Sequence, residues 1–124
     1  MSAIASSVGH DSHNLTVVGS NESDMRAALG ALIESGGGFC VVQGGVVSAK
    51  LDLPFGGLMS LETPQRIEAS LRELHKASHA AGCELPEPFL QLAFLSLPVI
   101  PSLKLTDKGL VDVDAFKIID VRAS

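Results

Sequence analysis

The chain has 124 residues, enough for one domain with a sizeable core and too few for two. Apolar residues make up 46% and aromatics only 4%, so disorder is excluded and the core must be largely aliphatic. Nine Lys and Arg against fourteen Asp and Glu leave a net charge of −5 with no basic cluster, which argues against nucleic acid and anionic membrane as partners.

Residues 1–9 are read as a partly flexible N-terminal segment of a single domain spanning 1–124; they have neither the basic start nor the apolar run of a signal peptide. Leu15-Thr16-Val17-Val18 is short and β-branched, and Gly19 ends it, which predicts a strand. Asn21 can cap a helix, Glu22 and Asp24 suit its positive end, and Met25, Ala28, Leu29, Leu32 and Ile33 follow at helical spacing. Gly36-Gly37-Gly38 stops that helix.

Phe39 to Val42 is apolar at every position, the pattern of a central strand covered on both faces. Gly44-Gly45 predicts a hairpin turn. In the strand after it, Val47, Ala49, Leu51 and Leu53 should face one side and Ser48, Lys50 and Asp52 the other. A loop, Pro54 to Ser60, precedes a second helix opened by Pro64, striped with Ile67, Leu71, Leu74, Ala77 or Ser78, and Ala81, supported by Glu68 and Arg72, and capped by Gly82. Four prolines punctuate the next segment, with a short helix from Phe89 to Leu95 and then extended chain. Thr106 to Gly109 is a turn, and Leu110 to Val121 should add one or two strands. The order βαββα, short helix, β predicts an α+β domain with a mixed or antiparallel sheet covered by two main helices.

The longest apolar stretch, Phe89 to Ile100, is too short to span a bilayer and contains Pro98, so a soluble, cytoplasmic chain is expected. Cys40 lies within Phe39-Cys40-Val41-Val42 and reads as a buried thiol; with Cys83 it is one of two cysteines, too few for a disulfide framework.

Chemistry concentrates in His10-Asp11-Ser12-His13-Asn14. On a strand His10 and His13 would point to opposite faces, whereas in a turn they could converge. A catalytic metal site needs a third ligand, and only the adjacent Asp11 is near. The alternatives are a polar, hydrogen-bonded turn or a site completed by residues from elsewhere. His75 and His79 have the helical i, i+4 spacing, but Lys76 stands where the metalloprotease pattern needs Glu, and solvated histidines are the simpler account. Gly36-Gly37-Gly38 follows a helix, whereas a phosphate cradle precedes one. No nucleophile elbow is present. No metal ligand set and no complete catalytic apparatus are read from these residues.

Four stretches, "AIASSVGHDSHNLTVVG", "GGGFCVVQGG", "LPFGGLMS" and "PFLQLAFLSLPVIPSLKLTDKGLVDV", resemble the C-terminal domain of bacterial adenine deaminases, in the same order and from about Ala3 to Asp114. Gly9 departs from the pattern, which has Ala there, and the family's catalytic barrel is absent. The resemblance implies an amidohydrolase-superfamily enzyme of purine metabolism that converts adenine to hypoxanthine and ammonia. It also implies a binuclear iron or manganese centre held by that barrel. A (β/α)₈ barrel takes about 200 residues or more, so no metal ligand carries over and no cofactor is expected in this chain.

What carries over is the segment His10, Asp11, Ser12, His13 and Asn14, suited to hydrogen-bonding a purine or lining an interdomain seam. The loop Gly57, Leu58, Met59 and Ser60 is a second seam candidate. The expected partners are a catalytic barrel, a second copy in a dimer, and purine only in the complete enzyme. The expectation is therefore a non-catalytic accessory domain of the deaminase; the alternative is a stand-alone purine-binding or protein-interaction module descended from it.

Overall fold

The structure, a computed structural model, describes residues 1–9, 14–95, 102–106 and 108–122. In chain order its elements are β1 (Ser2–Ser6), β2 (Thr16–Gly19), α1 (Glu22–Ser35), β3 (Gly38–Gln43), β4 (Val46–Asp52), α2 (Pro64–Ala80), α3 (Pro88–Phe94), β5 (Leu103–Thr106), β6 (Gly109–Asp112) and β7 (Lys117–Ile119). The first four strands form an antiparallel sheet in the order β2-β1-β3-β4, and the last three form their own sheet, β5-β6-β7. The fold class is the expected α+β.

β1 is the element the sequence pattern does not announce. Ser-Ala-Ile-Ala-Ser lacks the β-branched run of a central strand, yet β1 pairs with β2 on one side and β3 on the other. Its small residues are what the position requires: Ala3 and Ala5 are buried under α1, while Ile4 faces the opposite side. Packing overrides strand propensity here. Residues 1–9, expected as a partly flexible lead-in, thus hold a strand interior to the sheet.

The two faces of this sheet carry different helices. Ala3, Ala5, Cys40 and Val42 meet Ala28 and Leu32 of α1. Val41, Leu51 and Leu53 meet Leu74 of α2 and Phe89 and Leu92 of α3, with Phe39 and Phe89 packed edge to face at 5.1 Å between ring centroids. Phe39 to Val42 of β3 are apolar because the strand lies between β1 and β4 and is covered twice.

The alternation expected for β4 holds for Ala49, Leu51 and Leu53 but not for Val47. The pairing passes from Val41–Ala49 to Val42–Val47, leaving Ser48 as an extra residue in a bulge. Cross-strand partners share a face, so Val47 turns to the α1 side with Val42, away from Ala49.

Both long helices stop as the sequence indicates. Asn21 Oδ1 accepts from Asp24 N at 2.8 Å, opening α1. At its far end Gly36 N and Gly37 N donate to Ile33 O and Leu32 O. α2 ends with the same double return, from Gly82 N to His79 O and Cys83 N to Ser78 O. No helix among the described residues is long and apolar enough to cross a membrane.

Candidate functional site

A serine three residues before the polar segment anchors the site. Ser7 follows β1 directly, and its backbone N–H donates to Gly38 O at 3.0 Å. Its buried hydroxyl donates to Gly57 O at 2.7 Å and accepts from Gly38 N at 2.8 Å. One side chain therefore ties the end of β1 to the start of β3 and to the loop between β4 and α2. Leu53 N donates to Gly37 O at 3.0 Å, closing the same junction from the β4 side.

Glycine is required where these backbones meet. A Cβ on Gly37 would lie 2.5 Å from Gly57 Cα, and one on Gly57 would lie 2.9 Å from Ser7 Oγ. Both residues also have positive φ, 120° and 73°, which L side chains adopt at a cost. The close approach and the backbone conformation demand the same residue.

Beside this junction is an open cleft of about 300 Å³ lined by residues that include Ser7, Asn14, Leu15, Ile33, Gly37 and Gly57. None of its described lining residues carries a charged side chain. Ile33, in the cleft lining, is 68% exposed, and Phe55 and Met59, in the loop that supplies Gly56 and Gly57 to that lining, are 55% and 66% exposed. A tight turn presents the last two, with Phe55 and Met59 bridged through backbone hydrogen bonds in both directions.

Of the expected site residues, His10, Asp11, Ser12 and His13 lie outside the described residues. Asn14 is exposed at the cleft, its Oδ1 accepting from Leu15 N at 2.8 Å. Gly57 is buried in the cleft wall, whereas Leu58 and Met59 project from the turn and Ser60 Oγ accepts from Glu62 N. The structure thus brings Asn14 and Gly57, one residue from each candidate segment, to one place. Ser7, Gly37 and Ile33 were not singled out from sequence, because only the chain's long-range pairing makes them neighbours.

His75 Nε2 lies 3.5 Å from Glu87 Oε2, and His79 is exposed on the next turn. Among the described residues no group of three or more His, Cys, Asp or Glu could hold a metal ion. Cys40 and Cys83 are free thiols. Burial pushes the Cys40 thiol above its ordinary value, opposed by Lys50 and reinforced by Asp52, which is the reverse of an activated nucleophile.

The family model for the adenine deaminase C-terminal domain matches residues 1–117. Among curated proteins, the adenine deaminase of Shewanella halifaxensis (strain HAW-EB4) is 58% identical over 120 residues, 97% of this chain and 20% of that protein. That of Methylobacterium sp. (strain 4-46) is 57% identical over 117 residues, 94% of this chain and 21% of that protein. That of Bdellovibrio bacteriovorus is 50% identical over 120 residues, with 97% and 20% covered. The chain spans about a fifth of the length of these relatives.

Proposed function

Since the chain belongs to the adenine deaminase C-terminal domain family, we propose that it serves as the accessory domain of a cytoplasmic adenine deaminase and does no chemistry alone. The observation that carries this is the asymmetry of the match: nearly all of this chain corresponds to only a fifth of each relative. The complete enzyme would hydrolyse adenine to hypoxanthine and ammonia, with the amidohydrolase barrel and its iron or manganese centre in the remaining four-fifths.

The cleft end is the surface proposed to meet that catalytic portion. It combines hydrogen-bonding groups at Ser7 and Asn14 with exposed Ile33, Phe55 and Met59, the mixture of apolar anchors and polar rim that interdomain contacts use. His10, Asp11, Ser12 and His13, which lie between Ser7 and Asn14 in the sequence, are proposed to hydrogen-bond across the seam, either to purine or to groups that hold it. Gly57, Leu58, Met59 and Ser60 form the second part of the seam.

The test is an adenine deaminase assay of this chain, of the Shewanella halifaxensis enzyme lacking its matching fifth, and of the two mixed, all with iron or manganese. The chain alone should be inactive and should raise the activity of the shortened enzyme. Turnover by the chain alone, or a shortened enzyme as active as the intact one, would overturn the accessory role.

The cleft favours a second possibility, a stand-alone module that binds purine. Its volume of about 300 Å³ is at the small end of ligand pockets, and the described part of its lining, which carries no charge, suits a neutral heterocycle. Calorimetric titration of adenine into the chain, with no other protein present, would reveal saturable binding if that module is the function.

A further inference from the structure

Two hydroxyl groups brace the ends of β1. At its start Ser2 Oγ donates to Ala81 O at 2.9 Å, beyond the end of α2 and outside the cleft lining. Just past its end Ser7 Oγ donates to Gly57 O at 2.7 Å and accepts from Gly38 N at 2.8 Å. The Ser2 contact is a single bond between two elements. The Ser7 contact is buried, joins three segments, and sits in the wall of the cleft.

Among the described residues, the loop from Pro54 to Ser60 has few other hydrogen bonds to the body at this point. Its turn is closed internally by Phe55 and Met59, and Gly57, at its tip, is held to the body by Ser7. Without the hydroxyl, Gly57 O would lose its partner and Gly38 N would lose its short bond to Oγ. The turn would then be free to shift, and Phe55 and Met59 would move with it.

We propose that Ser7 is a positioning residue: its hydroxyl sets where the Phe55–Met59 turn stands and so how the cleft end presents itself to the catalytic portion. This rests on the docking of that end proposed above. It predicts an effect on turnover larger than any effect on folding, since a displacement of about 1 Å far from the chemistry can cost ~10²-fold in rate.

The experiment uses a chimaera in which this chain replaces the matching fifth of the Shewanella halifaxensis adenine deaminase. Ser7→Ala, Ser2→Ala and Met59→Asp are compared for kcat, KM and thermal midpoint. Ser7→Ala should lower the midpoint more than Ser2→Ala, since it strips a partner from two buried backbone groups, and, assayed well below both midpoints, only Ser7→Ala should lower kcat/KM, by about tenfold or more. If Ser7→Ala keeps full kcat/KM while Met59→Asp loses it, the positioning role is wrong and the docking stands. If both keep it, the docking is wrong as well. Should Ser7→Ala fail to fold, Gly57→Ala displaces the same turn by crowding Ser7 Oγ, and full activity in that variant would equally overturn the proposal.

Discussion

Asp24 and Gly45, twenty-one residues apart, are joined by a 2.8 Å hydrogen bond in which the Gly45 N–H donates to the buried Asp24 carboxylate. The other carboxylate oxygen accepts from Asn21 Nδ2 at 2.9 Å, while Asn21 Oδ1 caps the Asp24 N–H. The start of α1 is thereby fastened to the β3–β4 hairpin. Asp24→Ala removes the acceptor for both donors and should cost about 1–3 kcal/mol. Asn21→Ala, which removes the cap but leaves the Gly45 bond, should cost about 1 kcal/mol. Chemical denaturation of both variants checks the order; equal losses would show that the hairpin bond is worth no more than the cap, since both variants lose the bond between the two side chains.

Two glycine substitutions should have opposite signs. Gly30 lies within α1 with open space around it, so Gly30→Ala should stabilise by about 0.5–1 kcal/mol through the unfolded chain's lost freedom. Gly37→Ala forces a Cβ to within 2.5 Å of Gly57 Cα at a φ of 120°, and should destabilise by about 2 kcal/mol or more. Thermal midpoints of the two variants, one raised and one lowered, are the expected result.

Cys40 sets a pH dependence at the alkaline end. Burial raises its folded value above the ordinary 9.0, so the folded state keeps a proton that the unfolded chain releases. Stability is therefore unaffected by this group below about pH 9 and falls as pH climbs from there towards the raised folded value. Denaturant midpoints at pH 7.5 and 10 should differ more in the natural chain than in Cys40→Ala, which loses packing at both pH values but has no thiol to titrate.

In the chimaeric enzyme, Asp11→Ala or His13→Ala should lower turnover by ~10²-fold, the loss of one hydrogen bond to a group polarised in the transition state. A hydrogen bond that only shaped a turn would cost about 1 kcal/mol of stability and leave turnover alone. Measuring kcat and thermal midpoint on the same variants separates the two; natural turnover with a lowered midpoint would make the segment scaffold.

Phe55, Met59, Leu103, Leu105 and Ile118 are all more than half exposed. With so much apolar surface uncovered, the chain on its own should self-associate to a dimer at high concentration. Sedimentation equilibrium should show the dimer, and Met59→Asp should shift it towards monomer. A single monomeric species throughout would show that these side chains tolerate water.

Local signals determined much of this domain. The Asn21 cap, the helical stripe after it and the glycine stop define α1; Pro64 and Gly82 bound α2; the uninterrupted Phe39–Val42 run marks the strand covered on both faces. Four sequence stretches were enough to find the family. The tertiary structure alone decided that Ser2–Ser6 is an interior strand, because alanine is chosen there for closeness to α1 rather than for strand propensity. It decided that Val47 faces α1, because a bulge at Ser48 is a property of a strand pair and not of one strand. It also decided that Ser7, Asn14, Gly37 and Gly57 share one cleft, since a hydroxyl bonded to a carbonyl fifty residues away leaves no periodicity for a sequence to display.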